Sequence, residues 1–221
     1  MLEDYLQIES LSIVFLGDFN PVILQPFWLS SKGLIREDEA ITAEVKIIHN
    51  EIVKFELDWV SVEISKQRCE FKTNKSPYFE ILKDLSLGVF KILRETPIKS
   101  LGINHIFDLA LRSQESYYQF GDKLAPLQNW TDILNDPRLL ILEILEENRK
   151  DGYKGRYRVR VTPSDHNKPF GISVNINDHF KLEDHEKGTD MEMVKVLETN
   201  WENSLKRSKS VTQSLLNKIL K

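Results

Sequence analysis

The chain has 221 residues, enough for one domain of generous size or for two small ones. Apolar residues make up 41% and aromatic residues 10%, which excludes intrinsic disorder, and 29% charged residues exclude an integral membrane protein. A net charge of -4 provides no overall positive field for nucleic acid or anionic lipid, and a single cysteine excludes a disulfide framework.

The N-terminal residues are acidic and contain no basic segment ahead of an apolar stretch, as a signal peptide would require. The most apolar early run, residues 11–16, is too short to cross a bilayer. We therefore expect a protein of the reducing cytoplasm, without a membrane partner.

The first half of the chain reads as strands followed by one strongly amphipathic helix. Residues 12–16 form a short apolar run, and residues 43–71 alternate apolar and polar side chains with turns between, which predicts an antiparallel meander. The alternation changes phase near Trp59, which predicts a bulge or sharp bend. Ser76-Pro77 is a typical helix start, and apolar residues then recur every three or four positions up to residue 94.

The second half repeats this mixture. Residues 98–111 predict a long buried strand, residues 114–134 a helix interrupted by Pro126, and residues 138–145, 156–161 and 170–176 three more strands. Residues 181–190 read as an exposed connection, and the last helix runs from about residue 190 to 221. No repeat of fixed period is visible. These patterns predict a single α+β domain over residues 1–221, with a mostly antiparallel twisted sheet, one covering helix and a long C-terminal helix.

The usual catalytic motifs are absent: there is no phosphate-binding glycine loop, paired-histidine zinc helix or nucleophile elbow. The best metal candidate is a cluster of oxygen and imidazole ligands near the end of the last strand: Asp178, His179, Glu183 and His185. Its alternative is a solvated strand end followed by a charged loop, because neighbouring side chains of a strand point to opposite faces. Asn104-His105, inside an apolar strand, serves a pocket or is a hydrogen-bonded insertion in the core. We expect no resident cofactor.

The most specific charge pattern is the alternation of Arg156, Arg158 and Arg160 with apolar residues, which places three guanidinium groups on one face of a strand. Groups about 7 Å apart repel each other unless carboxylates or phosphates lie opposite them. This arginine strip, defined by the three residues, binds either an acidic protein surface or, less favoured, a nucleic-acid backbone. Its alternative is an internal ladder with acids such as Glu143 of a neighbouring strand.

The C-terminal helix carries an apolar stripe along most of its length: Trp201, Leu205, Val211, Leu215 and Ile219. We expect one sheet to be too small to cover a helix roughly 45 Å long, so the stripe predicts a homodimer through its last part. The alternative is that the serines at positions 208 and 210 break the helix, so that its end folds back onto the same subunit.

Several short phrases resemble those of a sporadically distributed class of uncharacterised bacterial proteins: Gly17-Asp18-Phe19-Asn20-Pro21, Thr96-Pro97, Ser100-Leu101-Gly102-Ile103-Asn104 and Asp151-Gly152-Tyr153-Lys154-Gly155. This resemblance implies no activity, although sporadic distribution suits accessory roles such as phage defence. The residues favour a non-enzymatic binding or assembly protein, and the alternative is a metal-dependent hydrolase or nuclease that uses the region of Asp178 and His179.

Overall fold

The described residues form nine strands and five α-helices, in two successive runs of strands and helices. The computed structural model describes residues 2–182 and 191–220. The strands are β1 (Leu6–Gly17), β2 (Glu44–His49), β3 (Ile52–Glu56), β4 (Ser61–Ser65), β5 (Arg68–Thr73), β6 (Ile98–Ala110), β7 (Leu142–Glu146), β8 (Gly155–Pro163) and β9 (Gly171–Lys181). The helices are α1 (Pro26–Ser31), α2 (Glu37–Ile41), α3 (Phe79–Ile92), α4 (Gln114–Leu124) and α5 (Glu192–Ile219).

All nine strands belong to one antiparallel sheet, in the order β2-β3-β4-β5-β1-β6-β9-β8-β7. The antiparallel α+β class predicted from the sequence is therefore confirmed. The phase change near Trp59 is a turn between two strands, closed by a hydrogen bond from the amide of Leu57 to the carbonyl of Val60, 2.8 Å long. The strand predicted from residue 138 begins only at Leu142.

The connectivity contains a repeat that the sequence does not display. Each half begins with a long strand, β1 or β6, continues through helical segments into an antiparallel meander, and ends in a helix, α3 or α5. In each half the last strand of the meander, β5 or β9, pairs with the first strand of the same half. The meander has four strands in the first half and three in the second. The halves join through the antiparallel pair of β1 and β6.

Apolar and polar side chains alternate along the central strands, so the sheet has two different faces. One face, the helix face, carries buried apolar residues such as Ile13, Phe15 and Ile103, and it packs against α3 and α5. The other face, the open face, carries mostly polar residues on the alternate positions of the same strands. This division positions every residue of the candidate site.

Helix α5 is continuous over 28 residues, so the serines do not break it. At 1.5 Å per residue it is about 42 Å long, and β6, with 13 residues, is nearly as long. Trp201 packs in the same core cluster as Ile103, and Ile219 packs with Phe107 and Leu109 near the other end of β6. The helix therefore lies along the central strands of its own subunit.

This packing buries part of the predicted dimer surface. Trp201 and Ile219 are only 1% and 4% exposed within the single subunit, so neither is available to a partner. Leu205, Val211 and Leu215 are half-buried. The prediction assumed a sheet too small for the stripe, but the packing along the long strand β6 buries the residues at both ends of the stripe.

Candidate functional site

The open face of strands β6, β9 and β8 carries a patch of amide, imidazole and guanidinium groups. Its members alternate with core residues and stand in neighbouring register positions across the three strands: Gly102, Asn104, Asn175, Asn177, His179, Arg156, Arg158 and Arg160. We call this set the polar patch. The predicted arginine strip forms its border on β8.

A chain of hydrogen bonds orders the amides of the polar patch. The Nδ2 group of Asn177 donates to Oδ1 of Asn104 at 2.5 Å, and Nδ2 of Asn104 donates to Oγ of Ser12 at 3.1 Å. Gly102 leaves room beside this chain, because a Cβ atom there would lie 3.1 Å from Nδ2 of Asn177. The floor of the patch is therefore ordered, polar and partly open.

The arginines face amides and a histidine across β9. Arg156 pairs with His179, Arg158 with Asn177 and Arg160 with Asn175. On β7, Glu143 approaches the strip, and one of its oxygens lies 3.7 Å from Nη1 of Arg158. The Nε atom of Arg158 is buried and has no hydrogen-bond partner among the described residues. Because the described residues bring one carboxylate to the three guanidinium groups, they leave the strip with excess positive charge.

His179 experiences this charge directly. Burial lowers the pKa of its imidazole, and the neighbouring charges of Arg156, Arg149 and Lys181 lower it further. Its Nδ1 atom is buried and, within residues 2–182 and 191–220, has no hydrogen-bond partner. The imidazole of His179 therefore favours its uncharged form and adds a polar ring to the patch without adding a positive charge.

The first half of the open face is different because two of its basic side chains are paired with carboxylates. Lys54 on β3 lies 2.9 Å from Glu63 on β4, and Arg68 lies 2.8 Å from Glu70 on β5. Positive charge is therefore concentrated on the half of the open face built from β6, β9 and β8.

The structure separates the two metal-candidate residues that it describes. Asp178 lies on the helix face, where its Oδ1 atom is 2.5 Å from Nη1 of Arg149, whereas His179 lies on the open face. Because alternate residues of a strand point to opposite sides, these two side chains cannot bind the same ion. Glu183 and His185 lie outside the described residues. Within the described part of the chain, no group of three histidine, cysteine or acidic side chains is arranged to hold a metal.

Asn104 and His105 are likewise divided between the faces. The Nδ1 atom of His105 lies 2.6 Å from Oγ of Ser208 on α5, and its Nε2 atom lies 2.6 Å from Glu9 on β1. Nζ of Lys209 lies 3.0 Å from the same carboxylate oxygen. Although serine, histidine and glutamate resemble a nucleophilic triad, Ser208 is 1% exposed and its hydroxyl is within hydrogen-bond distance of the carbonyl of Leu205. This cluster attaches α5 to the sheet.

Sequence reasoning found the arginine strip but missed its neighbours in the polar patch. Asn175 and Asn177 directly precede the metal-candidate residues in the sequence, and nothing in the sequence places Asn104 beside them. The only available signal was that all three amides occupy alternate positions of strands. The single cysteine, Cys69, is buried, and burial raises the pKa of its thiol, which disfavours the reactive thiolate.

No helix in the described part of the chain is both long enough and apolar enough to cross a membrane. A scan against protein-family models and a search of curated proteins found no match to this chain. The geometry of the open face therefore carries the functional inference.

Proposed function

We propose that this protein is a non-enzymatic binding protein that docks an acidic protein segment on the polar patch. The observation that carries the proposal is a strip of three arginines on one face, to which the described residues supply one carboxylate, 3.7 Å from Nη1 of Arg158. Neighbouring guanidinium groups repel each other unless carboxylates lie opposite them, and the carboxylates of a docked partner supply what the strip needs.

The spacing of the strip suits an extended acidic segment. Alternate residues of a strand lie about 7 Å apart, so carboxylates at alternate positions of a bound strand match the three guanidinium groups. Single-stranded nucleic acid is less suited, since proteins usually bind its bases on aromatic side chains and none belongs to the polar patch. The net charge of -4 also gives duplex DNA no general attraction.

Fluorescence anisotropy with a labelled polyglutamate peptide and a labelled mixed-sequence single-stranded DNA tests this proposal. We expect the peptide to bind and the complex to weaken as salt is raised, because the Debye length falls from about 10 Å at 0.1 M to about 3 Å at 1 M. Arg158→Glu should reduce the affinity about tenfold or more, because charge reversal replaces attraction with repulsion.

Lys72→Glu is the matched control. Lys72 is exposed on the open face of β5, in the same row across the sheet as Arg158 and about 19 Å away at four strand spacings. Lys72→Glu makes the same change of charge outside the patch, and it should change the affinity for the peptide by less than about twofold. Binding of DNA but not of the peptide would overturn the partner class. A loss of several kcal/mol in the unfolding free energy of Arg158→Glu would instead identify the strip as an internal ladder.

A further inference from the structure

The outer edge of β7 carries an unusual concentration of exposed apolar residues. Residues 139–145 contain six leucines and isoleucines with one glutamate between them. Ile144 is 57% exposed and Leu145 is 44% exposed. The strand pairs with β8 on one side, and no strand in the described part of the chain pairs with its other side. A regular apolar strand at the edge of a sheet is a template for pairing with another strand.

The opposite edge of the sheet provides an internal comparison. Strand β2 is also exposed, but a register irregularity interrupts it between Val45 and Ile47, and Lys46 lies at that point. A bulge and a lysine are two devices by which edge strands avoid pairing. Strand β7 has neither, because its register with β8 is uninterrupted from Leu142 to Glu146. The two edges therefore differ in their capacity to accept a further strand.

The topological repeat indicates what the β7 edge lacks. In the first half a four-stranded meander ends in β2, whereas the meander of the second half ends one strand earlier, at β7. The position next to β7 corresponds to the position that β2 occupies in the first half. An additional strand at that position would give the second half a four-stranded meander like that of the first half.

We propose that β7 pairs with β7 of a second copy of this chain, in an antiparallel dimer whose two-fold axis passes through Ile144. Full overlap of the two five-residue strands places Ile144 opposite itself. In this register Glu143 lies opposite Leu145, and Leu142 lies opposite Glu146, so no two carboxylates face each other. This register therefore places no like charges opposite each other, and such two-fold pairing closes after two copies.

This dimer differs from the one predicted through α5, because it needs neither of the stripe residues that the core buries. It joins two nine-stranded sheets into one, with both open faces on the same side. The interface consists of the new backbone hydrogen bonds and the exposed apolar side chains of β7.

Sedimentation velocity distinguishes a dimer through β7 from a dimer through α5 and from a monomer. We expect the wild type to be a dimer at tens of micromolar and Ile144→Arg to be a monomer, since two arginines would meet at the axis. Ile48→Arg, on the similarly exposed edge strand β2, is the matched control and should remain a dimer. Far-UV circular dichroism confirms that both variants are folded. A monomeric wild type overturns the proposal, as does a dimer that persists in Ile144→Arg and dissociates in Leu215→Arg, which would identify α5 as the interface.

Cysteine cross-linking tests the register. The only native thiol, Cys69, is buried, so an introduced cysteine reports on its own position. Residues opposite each other in antiparallel strands have Cα atoms about 4.5–5.5 Å apart, within reach of a disulfide. Mild oxidation should cross-link Ile144→Cys but neither Leu142→Cys nor Ile48→Cys. Equal cross-linking of all three would indicate random collision and contradict the pairing.

Discussion

Truncation of Leu216 to alanine tests whether the end of α5 belongs to the core of its own subunit. The side chain of Leu216 is fully buried and packs with Phe107, Leu109 and Phe120 in the second apolar cluster. Its neighbour Leu215 is only half-buried at the edge of the same cluster. The two positions lie on the same helix and allow the same substitution, so they form a matched pair.

The expected magnitude follows from the atoms removed. Leucine to alanine removes three carbon groups, worth about 0.8 kcal/mol each when fully buried, or roughly 2.4 kcal/mol. The remaining cavity adds to this cost, and buried leucines generally lose about 3–5 kcal/mol. We therefore expect Leu216→Ala to reduce the free energy of unfolding by about 3 kcal/mol, and Leu215→Ala by about 1 kcal/mol. A loss of about 3 kcal/mol lowers the Tm by about 6–12 °C in a chain of this size.

Urea denaturation followed by circular dichroism measures both variants, and the protein concentration should be varied. If the helix packs within its subunit, the difference between Leu216→Ala and Leu215→Ala is independent of concentration. Equal losses in the two variants, or a loss below about 1 kcal/mol for Leu216→Ala, would refute the packing described for α5. A loss that disappears as protein concentration rises would show that a second subunit buries this leucine.

Three further predictions concern β8, β9 and the loop between β7 and β8. The pKa of His179 is lowered in the folded protein, so the unfolded chain binds the proton first and stability falls as the pH drops below about 6.5. His179→Gln should reduce this loss of stability in urea denaturation measured at several pH values, and an unchanged pH profile would contradict the prediction. Arg149→Met leaves the buried carboxylate of Asp178 without its partner and should lower the free energy of unfolding by about 3–5 kcal/mol. Adding Asp178→Asn should restore part of this loss, and a double-mutant cycle that shows no coupling would count against this ion pair. Gly155 has a φ of 136°, and a Cβ atom there would overlap the carbonyl oxygen of His179, whereas Gly152 has a φ of 81° and open space around it. Gly155→Ala should therefore lower the Tm more than Gly152→Ala, and equal Tm shifts would refute this reasoning.

Local pattern was enough to predict the strand that carries the candidate site. Arg156, Arg158 and Arg160 share a face because successive side chains of any strand point to opposite sides, whatever its neighbours are. The same rule was available for Asp178 and His179, and it already weighed against a shared metal site. The helix after Ser76-Pro77 and the long strand from Ile98 were predictable for the same reason, since their signals lie within a few residues of chain.

Tertiary structure decided what lies beside these elements. The stripe on α5 was equally compatible with a core of its own subunit and with a partner, because periodicity reports an apolar face and not what covers it. Only the length of β6 and its central position in the sheet resolve this in favour of the core for Trp201 and Ile219. Likewise, Asn104 meets Asn177 only because β6 pairs with β9 across more than seventy residues of sequence, and such non-local pairing leaves no local signal in either segment.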